Sequence, residues 1–141
     1  MGVRARDRGQ SEVEFLNTAH ELEMFTIRAA HNENVIPKRY RLTLGKDLMT
    51  SVRTIHANIV YANSLNPLNV KDEEQRAHTY QLRYDRQKRA YIELQNLFAI
   101  MRVVSELLPV KDTVLEEWTG LVLKEEKVLK AWIASDKKRF S

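Results

Sequence analysis

Residues 72–109, DEEQRAHTYQLRYDRQKRAYIELQNLFAIMRVVSELLP, decide the fold. One face recurs through them at Ala77, Tyr80, Tyr84, Gln87, Tyr91, Leu94, Phe98, Met101, Ser105 and Leu108, in alternating steps of three and four. An unbroken heptad of this kind predicts a long helix lying nearly parallel to its neighbours along most of its length. Asp72, Glu73 and Glu74 suit the positive end of a helix dipole and Pro109 closes the run. The helix should therefore extend from about Asp72 to Glu106, about 50 Å at 1.5 Å per residue.

Working outward, the segment before this helix carries apolar positions at Leu44, Leu48, Val52, Ile55, Ile59 and Ala62, one face of a second helix expected from about Pro37 to Ser64. The turn sequence Leu65-Asn66-Pro67-Leu68-Asn69 stops it. Ser11-Glu12-Val13-Glu14 has the pattern of a capping box, so a first helix should start there and run to about Asn32. Its core stripe would be Phe15, Ala19, Leu22, either Phe25 or Thr26, and Ala29. A fourth helix is expected from Asp112 or Thr113, with Thr113 and Glu116 as a second capping box. It would bury Leu115, Trp118, Val122, Leu129 and Trp132 and fray into Lys137, Lys138 and Arg139. Short connections between four amphipathic helices predict an all-α, antiparallel up-down-up-down four-helix bundle over residues 11–136, with basic tails at 1–10 and 137–141.

Composition agrees with that class. The 141 residues suffice for one domain with a core, and only four glycines and three prolines interrupt them. The absence of cysteine excludes disulfides, thiolate nucleophiles and cysteine-ligated zinc, and a cytoplasmic location is the default expectation. Arg4, Arg6 and Arg8 are followed by no apolar run, so Met1 to Gln10 reads as neither signal peptide nor membrane anchor. Arg6 also stands where a myristoylation site needs Ser or Thr. The net charge is +4, unevenly spread: residues 11–36 hold five acids and one base, residues 37–64 five bases and one acid. The first two helices should therefore attract each other, leaving a basic surplus on selected faces.

Two surface features bear on function. Apolar residues outside the core stripes include Val13, Leu16, Met24 and Ile27 on the first helix, with His20 among them, and Leu42, Met49 and Val60 on the second. Leu97 to Val104 is apolar almost all round the third, including Ile100 and Val104. A helix of that kind must be covered on every side. Monomers rarely expose large apolar patches, so Val13, Leu16, Met24, Ile27, Leu42, Met49, Ile100 and Val104 are candidates for an oligomer interface. The bland alternative is a wide core with loops folded over it.

The second feature is basic. Arg39, Lys46 and Arg53 are seven apart and share an outward line, while Arg86 and Arg89 project from the third helix. With Lys38, Arg83 and Lys88 they are candidates for a phosphate-tracking surface whose binding would be salt-sensitive and largely sequence-independent. A solvated face or a set of salt bridges is the competing reading. Arg41 is expected to close the bundle end against a carboxylate such as Glu33, and Lys124, Lys127 and Lys130 to pair with the acids among them. Tyr80, Tyr84 and Tyr91 have heptad spacing and read as core with hydroxyls at the rim, and Trp118 and Trp132, fourteen apart on one face, likewise read as core.

Nothing points to catalysis. His20, His31, His56 and His78 form no His-x-x-x-His or Glu-x-x-His pair, and the glycines stand alone. No cofactor or metal is expected. Glu125 falls on the seam side of the fourth helix, where a carboxyl has a raised pKa if buried and more commonly pairs with Arg or Tyr.

Pro37-Lys38, Arg41, Leu44, Leu48, Ile55 and Asn58-Ile59 resemble the second-helix pattern of four-helix-bundle proteins encoded in intervening sequences of bacterial ribosomal RNA genes. The form Pro-Lys-x-Tyr-Arg-x-Thr-Leu-Gly at 37–45 looks more like their relatives, the accessory variability determinant proteins of diversity-generating retroelements. Val128-Leu129-Lys130-Ala131-Trp132-Ile133-Ala134, followed by Lys137, Lys138 and Arg139, is similar to the C-terminus of the same group. The resemblance implies a homopentameric barrel of four-helix bundles that binds a reverse transcriptase and nucleic acid. It would support mutagenic copying of template RNA into cDNA, with the chemistry residing in the polymerase. Five copies would carry a formal charge of about +20. The alternative is a four-helix-bundle protein–protein interaction module without nucleic-acid binding.

Overall fold

Asp72 lies just outside its helix, and its carboxylate accepts a hydrogen bond from the Gln75 N–H at 3.1 Å, satisfying one of the orphan donors of the first turn. The computed structural model describes residues 5–141, with side chains from residue 14 onward. Its four long helices are α1 (Ala5–His31), α2 (Lys46–Ser64), α3 (Glu73–Leu107) and α4 (Asp112–Phe140), and the described residues contain no strand. α1 packs on α2 and α4, and α3 packs on the same two, so the helices close a ring around one core.

The helix ends differ from expectation in three places. α1 is already helical at Ala5, so Ser11 sits inside the helix rather than at its start, and residues 1–4 of the expected tail lie outside the described residues. The second helix does not start at Pro37, whose ψ of 152° is extended. A 3-10 turn, Lys38–Tyr40, and a π-helical turn, Arg41–Gly45, come first. In the π turn the Lys46 N–H reaches back to the Arg41 carbonyl, one residue further than in an α-helix, and the wider turn re-aims the side chains before it. Arg41 consequently does not meet Glu33, which lies 3.9 Å from Lys38 instead; the Arg41 Nε is buried without a partner among the described residues. Finally, α4 is preceded by Lys111 with no side-chain cap, so Thr113 forms no capping box, and the helix continues through Lys137, Lys138 and Arg139 to Phe140 rather than fraying.

The core stripe of α1 is the expected one, with Thr26 rather than Phe25 fully buried; the Thr26 hydroxyl accepts a 3.0 Å bond from the Trp118 indole N–H. Phe15 meets the Trp132 ring edge-on at 4.2 Å. α2 buries Leu48, Val52, Ile55, Ile59 and Ala62, together with Ser51 and Asn58. The loop residues Val35 and Ile36 and the connection residues Leu108 and Val110 join the same core, which favours the wide-core reading at the helix ends.

α3 is rotated relative to expectation. Its buried positions are Arg83, Gln87, Ala90, Leu94, Leu97, Met101 and Val104. Gln87, Leu94 and Met101 belong to the expected seam, but Tyr84 and Tyr91 are only half-buried and Phe98 and Ser105 are exposed. The large rings lie on the rim, half-buried or exposed, and small Ala90 takes the interior position, where Ser51 of α2 comes within 3.5 Å of the α3 backbone at Glu93. Helical spacing alone favours neither flank of the 87-94-101 line, and the neighbours decide.

Candidate nucleic-acid interface

The basic residues singled out by sequence divide into three groups. Arg83 is a correction: it is buried, and its Nε and Nη2 bond the two Asp136 carboxylate oxygens at 2.6 and 3.1 Å. Its Nη1 donates to the Leu65 carbonyl, and the guanidinium lies 4.9 Å from the Trp132 ring. All three guanidinium nitrogens bond within the protein and the side chain is buried, so Arg83 is not part of the exposed basic face. The cause is the rotation of α3, which brings this position to the seam opposite a buried acid on α4. Gln87 completes the cluster, donating to Asp136 at 2.7 Å.

Lys38 and Arg39 are exposed at the end of the bundle, Lys38 facing Glu33 and Arg39 stacked 5.1 Å from the Tyr40 ring. Lys46 and Arg53 are exposed on α2 and Arg89 on α3. Among the described residues none of these three, nor Arg86, is in an ion pair. On α4, by contrast, Lys130 faces Glu126 at 3.6 Å and Lys124 reaches Glu21 of α1 at 3.9 Å, so matched charge explains both.

Arg86 is half-buried between α2 and α3. Its guanidinium sits 4.2 Å from the centroid of the Tyr61 ring, and Nη1 donates to the Asn58 side-chain oxygen at 3.4 Å. Asn58 is itself held by a 2.9 Å bond from its amide to the Thr54 carbonyl. Tyr61 is 47% exposed, and Val60, next to it on α2, and Leu82, one turn before Arg86 on α3, are exposed apolar residues. Sequence reasoning missed Tyr61 and Asn58 as parts of this face, because Asn58 entered only as part of the second-helix resemblance and Tyr61 belongs to no stripe.

The apolar candidates also divide. Val104 is fully buried, a correction to its assignment as an interface residue, and it follows from the same rotation of α3. Leu16, Ile27, Met49 and Ile100 are half-buried against the core, and Met24 is half-buried too. The Val13 side chain lies outside the described residues. Leu42 projects from the π turn with 85% of its surface exposed. Phe98 and Val103, within the Leu97–Val104 stretch, are exposed, and Ile92, Leu107 and Leu123 are further exposed apolar residues that the sequence did not single out for that role. An open groove of about 250 Å³ between α3 and α4 is lined by Phe98, Met101, Arg102, Ser105, Leu115 and Thr119.

Two other ionisable groups are perturbed. Glu125 is fully buried and neither carboxyl oxygen has a hydrogen-bond partner among the described residues, so the expected Arg or Tyr is missing. Burial pushes its pKa up to about 7, Lys124 opposing weakly. The Tyr80 hydroxyl is raised above its usual range by burial, then by Asp136 and Tyr84. His56 lies 3.2 Å from Glu23, with the His20 ring 6.4 Å away, but no group of three or more potential ligands among the described residues is placed to hold a metal ion. No described helix is long and apolar enough to cross a membrane. Compared with protein-family models, with curated proteins and with solved structures, the chain gives no match.

Proposed function

We propose that the chain is a non-enzymatic, cytoplasmic accessory protein of a diversity-generating retroelement, which assembles with copies of itself, binds RNA or DNA and associates with a reverse transcriptase to support mutagenic cDNA synthesis. The observation that carries the nucleic-acid part is the α2/α3 face, where Lys46, Arg53 and Arg89 are exposed and Arg86 half-exposed, none of them in an ion pair among the described residues. Such a face attracts a polyanion and releases its counterions. The retroelement assignment rests on the resemblance carried by Pro37 to Gly45 and by Val128 to Ala134. A pentamer is what that resemblance implies, and exposed Leu42, Phe98 and Val103 are apolar surface suited to contacts between copies.

The proposed topology is antiparallel, up-down-up-down. Cross-helix contacts favour it: Phe15 meets Trp132 while Thr26 meets Trp118, and Arg83 meets Asp136 while Gln95 meets Glu126. Sequence numbers rise on one helix as they fall on its neighbour.

Fluorescence anisotropy of labelled RNA and DNA over a salt series tests the binding. Each neutralised phosphate adds roughly 0.7 to 0.9 to the log–log salt slope, so a slope of several units is expected, flattened in Arg53→Glu/Arg89→Glu. Absence of binding at low salt would remove the nucleic-acid reading. The second reading, a protein-only interaction module, is favoured by the exposed apolar residues and would then take its place.

A further inference from the structure

We infer that Tyr61 and Arg86 form a stacking platform for an unpaired base, so that the α2/α3 face takes single-stranded nucleic acid in preference to duplex; this rests on the nucleic-acid reading above. An arginine that only follows phosphates extends into solvent and moves with its ligand. Arg86 does neither: its guanidinium is laid against the Tyr61 ring at 4.2 Å and tethered to Asn58, which is itself tethered to the α2 backbone. What the pair presents outward is a fixed π surface beside exposed Val60 and Leu82.

Aromatic rings and guanidinium planes are the groups on which single-stranded bases stack, whatever the sequence. In a duplex both faces of an internal base are already covered, and the platform gains nothing from it. Because α2 and α3 run antiparallel in the register set by Ser51–Glu93 and Asn58–Arg86, Arg89, one turn beyond Arg86 on α3, and Arg53, about 12 Å back along α2 from Tyr61, lie to the same side of the platform, in no ion pair among the described residues, as cations for the phosphates that follow the stacked base. An acidic protein surface would use those two cations but has no need of the ring, so the aromatic element favours nucleic acid over an acidic polypeptide.

The test is anisotropy with one labelled oligonucleotide as single strand and as duplex, poly-glutamate as competitor, and the variants Tyr61→Ala, Tyr61→Phe and Arg53→Glu/Arg89→Glu, each checked for helicity by circular dichroism. The expected result is tighter binding of the single strand, weakened about ten-fold by Tyr61→Ala at an unchanged salt slope and largely kept by Tyr61→Phe. Duplex binding should not respond to Tyr61, and the double arginine variant should weaken both forms. Equal affinity for both forms, or a Tyr61→Ala variant that binds like the parent while the arginine variant fails, overturns the platform and leaves the nucleic-acid reading standing. No binding of either form at low salt removes both. Displacement of the single strand by poly-glutamate as effectively as by unlabelled oligonucleotide also overturns the platform.

Discussion

Asp136 and Glu125 are both fully buried acids on one face of α4, about three turns apart, in opposite circumstances. Asp136 receives two hydrogen bonds from Arg83 and one from Gln87. Glu125 receives none, and its pKa rises to about 7. The same helix therefore buries a paired carboxylate near its end and an unpaired one near its middle. Burial alone does not settle the charge of an acid; the donors on the facing helix do. At Asp136 the facing residues are Arg83 and Gln87, one turn apart on α3, and the cluster pins the α3–α4 register. At Glu125 neither carboxyl oxygen finds a donor among the described residues, and the core position favours the protonated acid.

The largest effect expected from breaking the first arrangement is that of Asp136→Ala, which strands the Arg83 charge in the core. It should cost about 3 to 5 kcal/mol in urea unfolding followed by circular dichroism, and Arg83→Met/Asp136→Leu should recover most of the loss. A cost below about 1 kcal/mol, the range of an exposed pair, would show that the cluster is not buried in solution.

Glu125→Leu probes the second arrangement from the opposite side. Because the native carboxyl has a raised pKa, its contribution is fully favourable below its ordinary value of 4.5 and is lost as pH rises towards about 7, with a level stretch beyond. A shift of this size corresponds to on the order of 3 kcal/mol, so Glu125→Leu should raise stability at pH 8 by that order and far less at pH 4.5. Unfolding curves at both pH values read the difference, and an equal gain at both would refute the titration.

Gln87→Leu sharpens the comparison further. It removes one donor to Asp136 while also removing a buried side-chain oxygen that has no partner, so a net cost of only about 1 kcal/mol is expected by the same unfolding measurement. The smallest effect belongs to Gly120, exposed on the same helix with nothing within 4 Å of where a Cβ would stand. Gly120→Ala should stabilise by about 0.5 to 1 kcal/mol at every pH, calibrating α4's helix propensity apart from its buried acids.

A second contrast, between Arg83 and Arg86, shows how legible the candidate site was. Both lie on α3, three residues apart, and both read as outward cations from sequence. One is locked to Asp136 and the other rests on Tyr61. The basic character of the segment was visible in composition, but the division between a structural and an accessible arginine depends on the rotation of α3 by a fraction of a turn. Asn58 was legible only as part of the second-helix resemblance and Tyr61 not at all, since their pairing with Arg86 arises only when α2 lies beside α3.

Sequence by itself determined the helical class, the four long elements and several of their ends, including the Asp72 cap and the stop after Ser64. These are local matters: hydrophobic period, capping oxygens and turn residues act within a few positions of the chain. Only the tertiary structure decided which flank of the α3 heptad faces inward, that a π turn precedes α2, and which buried acid finds a donor. A 3.6-residue period leaves two flanks of a seam nearly equivalent, and the choice between them falls to the volumes and donors offered by other helices.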